Sequence, residues 1–194
     1  MRKLKLQMQI SIDGYVAGPN GEMDWMEWNW DDEIKNYVKG ITEPVDCILL
    51  GRKLADGFIP TWESRLADPT TADDFAKKMV NTPKIVFSKK LKTVVWDNTE
   101  LVAGDHVKYI NQLKNKPGRD IIVYGGSNFV ASLIKDAMID DYHLFINPTA
   151  IGTGMSIFNS LKQNYSLKLM EAKRFSCGIA LLHYSADHKS ERVT

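Results

Sequence analysis

The order of apolar segments predicts an α/β fold of three layers: a mainly parallel central sheet with helices on both faces and a C-terminal antiparallel hairpin. Three observations carry this. Short apolar runs alternate with segments of helical periodicity through most of the chain. Runs such as Val45 to Leu50 and Ile121 to Tyr124 are almost unbroken, as strands covered on both faces require. Near the C-terminus, Leu167-Leu169 and Ile179 to Tyr184 follow one another as a closing antiparallel pair.

Each element has its own signal. Leu4, Leu6, Met8 and Ile10 alternate with Lys3, Lys5, Gln7 and Gln9, the period of a strand with one dry face. A loop rich in glycine and turn formers follows, from Asp13-Gly14 through Gly18-Pro19-Asn20-Gly21. Ile34, Tyr37, Val38 and Ile41 recur at helical spacing behind Asp31-Asp32-Glu33, an acidic start suited to a helix N-terminus. The strand Val45 to Leu50 runs straight into Gly51-Arg52-Lys53. A helix is predicted from Thr71 to Val80, with Thr71 and Asp74 spaced as a capping box. Lys84 to Ser88 and Val94-Val95-Trp96 read as strands. A helix marked by Val107, Ile110 and Leu113 opens at Asp105 and closes at Pro117-Gly118. Gly125-Gly126-Ser127 turns the strand ending at Tyr124 into a helix with Phe129, Val130, Leu133, Ile134 and Ala137 on one side. Tyr142 to Asn147 is a further strand.

Composition bounds the function. A chain of 194 residues without internal repeat or linker fits one domain, 1–194. With Lys+Arg 25 against Asp+Glu 24 there is no global attraction for nucleic acid or acidic membranes. Cys47 and Cys177 form no C-x-x-C and read as small core residues of a reducing compartment. The start Met1-Arg2-Lys3-Leu4-Lys5 lacks the apolar run of a signal peptide, and no stretch approaches the ~18 apolar residues of a membrane span. A cytoplasmic protein acting on a small molecule is expected. His106, His143, His183 and His188 show no ligand spacing, so no metal is expected. No G-x-S-x-G elbow or Walker loop is present.

Three strand ends carry unusual residues, and the carboxyl ends of parallel strands are where open α/β sheets gather ligands. At Gly51-Arg52-Lys53, glycine lets backbone approach a ligand and a following helical turn aims N–H groups at phosphate; an ordinary turn with a solvated arginine is the alternative. At Ser88-Lys89-Lys90, a hydroxyl and cations suit a 2′-phosphate, unless they are merely solvated. At Gly125-Gly126-Ser127-Asn128-Phe129, two glycines clear the way to a helix N-terminus. None of these is the G-x-G-x-x-G fingerprint. Gly152-Thr153-Gly154 reads as loop.

Together these segments resemble the dihydrofolate-reductase-like superfamily, and more closely its RibD C-terminal (pyrimidine reductase) branch. The matching pieces are Ser11-Ile12-Asp13-Gly14 with Ala17-Gly18, then Gly51-Arg52-Lys53, Ile85-Val86-Phe87-Ser88-Lys89 and Val123-Tyr124-Gly125-Gly126-Ser127, spread over roughly residues 2 to 185. The resemblance implies NADPH laid across the strand ends. Gly51, Arg52 and Lys53 would meet its phosphates, Gly125, Gly126, Ser127, Asn128 and Phe129 its pyrophosphate, and Ser88 and Lys89 the 2′-phosphate. Ala17 and Gly18 would lie in a loop covering the nicotinamide. The zinc deaminase often fused to the riboflavin enzyme, marked by H-x-E and P-C-x-x-C, is absent. Asp24-Trp25-Met26 stands where dihydrofolate reductases carry Pro-Trp.

The expected activity is hydride transfer from NADPH to a small heterocycle, resembling 5-amino-6-(5-phosphoribosylamino)uracil reductase. Dihydrofolate reductase is the near alternative, and a non-catalytic nucleotide-binding module the one from another class. A carboxyl group with a raised pKa in a partly dry cleft would orient or protonate the acceptor. Asp13, at the end of the first strand, and Asp32, with Asp31 or Glu33 as neighbours in register, are the candidates; turn formation and helix capping are their alternative roles. Trp25, within a cluster of Trp28, Trp30, Met23 and Met26, either stacks on a flat substrate or packs over the sheet edge. A homodimer is expected through the C-terminal hairpin and the apolar strand from Tyr142 to Ile146.

Overall fold

The computed structural model describes residues 1–187, so His188 lies outside the described residues. It contains β1 (Leu4–Ser11), α1 (Asp32–Thr42), β2 (Val45–Gly51), α2 (Arg52–Ala67), α3 (Asp74–Asn81), β3 (Lys84–Phe87), β4 (Thr99–Val102), α4 (His106–Asn115), β5 (Asp120–Val123), α5 (Ser127–Lys135), β6 (Asp141–Asn147), β7 (Leu167–Arg174) and β8 (Ala180–Ala186). The strands form one sheet in the order β4-β3-β2-β5-β1-β6-β8-β7. Pairing is parallel from β4 to β6, and β8 and β7 close it antiparallel. This is the dihydrofolate-reductase-like arrangement that the sequence predicts.

Strand alternation divides the core between the two faces. Leu4, Leu6, Met8 and Ile10 of β1 join Leu49, Ile121 and Val123 beneath α4 and α5, which contribute Ile110, Leu113, Val130, Leu133 and Ile134. On the opposite face Ile48, Leu50, Val86 and Ile122 pack with Ala55 and Ile59 of α2 and Met79 of α3. A separate cluster there joins Ile34, Val38 and Ile41 of α1 to Phe145 and Leu181. The solvent-side residues that a lone amphipathic strand would show, Lys5, Gln7 and Gln9, thus lie on an inward strand between β5 and β6.

Four local expectations change. The helical turn expected after Gly51 runs on as a 16-residue helix. Its signal was masked by Gly57 and the internal Pro60, yet Ala55 and Ile59 bury one stripe, with Leu54, Phe58 and Trp62 packed beside them. Thr71 does not cap the next helix: Asp73 does, its carboxylate accepting from the Ala76 N–H at 2.6 Å. Val94-Val95-Trp96 is not a strand; β4 begins at Thr99, and Val95 is 89% exposed. The Tyr142 to Ile146 segment is interior to the sheet, between β1 and β8, and offers no edge to a second copy. β7 holds that edge, with Leu169 and Met170 exposed. Among the described residues no helix is long and apolar enough to cross a membrane.

Candidate active site

Adjacent parallel strands bring the three predicted strand ends together. In the order β3-β2-β5-β1, Ser88, Gly51, Gly125 and Ser11 emerge along the same margin of the sheet. The Gly51 N–H donates to the Gly125 carbonyl at 3.2 Å, so the entrances to α2 and α5 are tied to each other. Glycine suits both places. A Cβ on Gly51 would lie 3.0 Å from Phe129 Cβ, and Gly125 holds φ +147 with Leu54 and Met8 pressed against it.

The helix starts differ in a way that singles out this margin. α1, α3 and α4 are capped by Asp31, Asp73 and Asp105, each carboxylate accepting from backbone N–H groups of the first turn. The helices α2 and α5 begin at Gly51 and Gly126, and neither has a side-chain cap. Their leading N–H groups, at Arg52 to Leu54 and Ser127 to Phe129, carry the positive end of a helix dipole without a local carboxylate. Open space surrounds the position a Gly126 Cβ would take. Two such ends on neighbouring strands can hold two parts of one anion.

The flanking side chains are less committed to that role than the backbone. Arg52 is half-buried and pairs with Asp56 one turn on, at 3.1 Å, while Lys53 is exposed. The Ser88 hydroxyl accepts from the N–H groups of Lys90 and Leu91 at 3.1 and 3.0 Å, which shapes the turn after β3 and leaves its own hydrogen to donate. Lys89 and Asn128 are exposed. Phe129 turns inward and stacks on Phe87 at 4.9 Å, fixing α5 against β3.

The loop after β1 folds back over this margin. Ala17 forms an antiparallel bridge with Met155: the Met155 N–H donates to the Ala17 carbonyl at 2.8 Å, and Val16 donates to the Met155 carbonyl at 2.9 Å. The Ser127 hydroxyl donates to Met155 Sδ at 3.4 Å, so the loop, this segment and the α5 entrance form one unit. Gly18 closes a tight turn with Glu22, its N–H donating to the Glu22 carbonyl at 2.8 Å. Gly152-Thr153-Gly154, read from sequence as plain loop, is part of this arrangement, since a Cβ on Gly154 would fall 2.3 Å from the Ala17 carbonyl oxygen. The second glycine was the available signal.

Neither predicted acid sits in a dry cleft. The Asp13 carboxylate accepts from the Ser11 hydroxyl at 2.6 Å and from the N–H groups of Ile151 and Gly152. The Ser11 hydrogen bond first, with those backbone donors, holds its pKa below the ordinary carboxylate value rather than above it. Asp32 stands on the solvent side of α1, its side chain 97% exposed and 3.6 Å from Lys35. Asp31 is the residue tied into the fold, capping α1 through Ile34 and accepting from the Ser176 N–H and hydroxyl. Trp25 spends its indole N–H on the Glu22 carbonyl at 3.2 Å, within its own loop. Trp30 is the member of the aromatic cluster that reaches the sheet, stacking on Phe145 at 6.2 Å.

The family model described as the RibD C-terminal domain matches residues 2–181. The chain belongs to the RibD C-terminal domain family. Within reach of this RibD C-terminal chain, the protein YyaP of Bacillus subtilis (strain 168) is 32% identical over 187 residues, covering 94% of each chain. Among solved structures, the diaminohydroxyphosphoribosylaminopyrimidine deaminase/5-amino-6-(5-phosphoribosylamino)uracil reductase of Thermotoga maritima is similar with TM-score 0.69 and 18% identity, over 95% of this chain and 56% of that one. Riboflavin biosynthesis reductase Rib7 of Saccharomyces cerevisiae is similar with TM-score 0.62 and 16% identity, over 95% and 90%. At such identities the two structures bear on the fold of the RibD C-terminal chain and leave its chemistry to its own residues.

Proposed function

We propose that this RibD C-terminal chain is a reductase that binds NADPH across the tips of β3, β2, β5 and β1 and delivers its hydride to a small heterocycle. The observation that carries the reading is the pair of side-chain-uncapped helix entrances, Gly51 and Gly126, on neighbouring strands, beside three helices that are each capped by aspartate. Backbone N–H groups of residues 52–54 and 127–129 hold the cofactor's phosphates, and the glycines keep side chains out of the way. Arg52 and Lys53 add positive charge beside the first set. Ser88 and Lys89, one strand further out, hold the 2′-phosphate and so select NADPH over NADH. The cofactor supplies the hydride.

The remaining residues position and enclose. Ala17 and Gly18, tied to α5 through Met155 and Ser127, keep water from the reacting carbon. Asp13 is ionised and serves as a latch that fixes residues 151–152 against the end of β1. The family and the reductase names of similar structures favour a pyrimidine-like acceptor over a folate. A cytoplasmic location and a dimer paired through the β7 edge belong to the same reading.

Titration with NADPH and NADH, followed by thermal shift, tests it. NADPH should raise the melting temperature more than NADH, because a ligand selective for the folded chain stabilises it in proportion to its affinity. Oxidation of NADPH in the presence of an aminopyrimidine, unaffected by methotrexate, separates the reading from a dihydrofolate reductase. A shift without turnover on any heterocycle identifies the non-catalytic nucleotide-binding module. No shift with either nucleotide removes the assignment.

A further inference from the structure

Strand β1 departs from β2 and β5 on the face that carries α1, α2 and α3, where its partners across β6 include Asp141 and His143. Strands within a parallel sheet are ordinarily apolar on both faces, and β2 and β5 obey this with Ile48, Leu50 and Ile122. On β1 the residues facing that side are Lys5, Gln7 and Gln9, while Leu4, Leu6, Met8 and Ile10 face the other. The two apolar clusters of this face stop on either side of β1, one on β2, β3 and β5, the other on β6 and β8. A polar floor therefore runs between α1 and α2.

Most of this floor is internally matched. Lys5 pairs with Asp120 at 2.8 Å, and Gln9 Oε1 accepts from Asn147 Nδ2 at 3.0 Å. Gln7 is different: its Oε1 is buried with no hydrogen-bond partner in the protein. One residue past the last register pair of β1 and β5, Leu6 with Val123, Tyr124 stands beside it on the same face. The Tyr124 hydroxyl is likewise buried and without a partner, and its ring stacks on Phe58 at 5.3 Å. Among the described residues three side-chain polar atoms are in this condition; the third, on Tyr142, belongs to the opposite face beside Tyr165. Two orphaned atoms on adjacent strands and one face form a donor and acceptor set that the fold leaves unmatched at a cost in stability.

We propose that Gln7 and Tyr124 are the specificity-determining pair of this reductase, reading the edge of an uncharged planar heterocycle whose ring N–H donates to Gln7 Oε1 and whose neighbouring carbonyl accepts from the Tyr124 hydroxyl. The inference rests on the reductase reading and names the acceptor's chemistry. An uncharged ligand follows because the nearest cation on the floor, Lys5, already has its counter-ion, and an unmatched charge brought here would be costly. Burial pushes the Tyr124 phenol well above its ordinary value, so it stays a neutral donor. The two atoms lie beneath the accessible surface, so a ligand reaches them only after neighbouring side chains move aside.

Tyr124→Phe and Gln7→Met test the pair, since each removes the polar atom and keeps the volume. Both variants should melt at a higher temperature than the parent chain, the opposite of losing a satisfied hydrogen bond. Saturation-transfer NMR in the presence of NADP⁺ should detect uracil on the parent chain and not 1,3-dimethyluracil, which lacks the ring N–H. Each variant should weaken the uracil signal at least fivefold and leave the NADPH thermal shift unchanged. Variants that melt lower and still bind uracil would overturn the proposal, by showing that both atoms serve the fold. Failure of the parent chain to bind uracil overturns the ligand class. Absence of an NADPH shift in the parent chain instead sinks the reductase reading beneath it.

Discussion

The Gly51 N–H donates to the Gly125 carbonyl at 3.2 Å, and this one bond joins the last residue of β2 to the turn that opens α5. It makes two helix entrances a single structural unit, so a disturbance at either glycine should reach the proposed phosphate cradle. Gly51→Ala places a methyl group 3.0 Å from Phe129 Cβ and 3.7 Å from the Gly125 carbonyl oxygen. Such overpacking costs about 1–3 kcal/mol. Thermal unfolding should show the loss, roughly 2–4 °C for each kcal/mol in a chain of this size. Affinity for NADPH, measured by calorimetry, should fall with it. An alanine variant that melts and binds like the parent would show that the approach of α5 to β2 is slack.

Lys89→Ala should weaken NADPH binding by roughly threefold to tenfold and leave NADH binding unchanged, because one charge-assisted hydrogen bond to the 2′-phosphate is at stake. Equal losses for both nucleotides would place Lys89 elsewhere on the cofactor. Since Lys89 is exposed, the melting temperature should not move.

Asp31 and Asp32 should separate cleanly. Asp31→Ala removes the cap on Ile34 and both bonds to Ser176, loosening α1 from the segment between β7 and β8. Its melting temperature should drop. Asp32→Ala, altering a side chain that is 97% exposed, should match the parent in both melting temperature and NADPH oxidation. A selective loss of turnover in Asp32→Ala would restore it as an acid.

Asp13→Asn replaces an acceptor-only carboxylate with an amide that meets two backbone donors less well. Amide hydrogen exchange at Ile151 and Gly152 should accelerate. Unchanged exchange at both positions would remove the latch from the account of this loop.

His143 sets the acid limb of stability. Buried on β6, stacked on His183 at 4.2 Å and bonded to the Tyr37 hydroxyl at 3.1 Å, it is held neutral. Burial, then repulsion from His183, lowers its pKa from 6.5 to about 3. A folded-state pKa below the unfolded one means that the unfolded chain takes up the proton first. The contribution is therefore complete above pH 6.5 and is lost as pH falls toward 3, at no more than about 1.4 kcal/mol per pH unit. Between pH 6.5 and 4.5 this loss precedes that of carboxylates such as Asp13 and Asp31, whose lowered values place their effect at greater acidity. Urea unfolding of His143→Gln across that window should show a shallower slope than the parent. Equal slopes would assign the acid limb to other groups.

Glycine at the ends of apolar runs, the alternation of β1 and the acidic starts of helices were all local signals, and each was legible because period and turn chemistry depend on nearest neighbours along the chain. Those signals determined the fold class, the strand ends at Ser11, Gly51, Ser88 and Gly125, and the family resemblance that follows from their order. Tertiary structure decided the rest. It placed β1 between β5 and β6, so that the Gln7 Oε1 is buried instead of facing solvent. It gave the Asp13 carboxylate to the N–H groups of Ile151 and Gly152, residues far along the chain. It carried α2 through Gly57 and Pro60 by burying Ala55 and Ile59, a packing gain that local propensity does not contain. Strand adjacency and hydrogen bonds between distant segments are long-range choices, made by what each face buries, and no window of sequence encodes them alone.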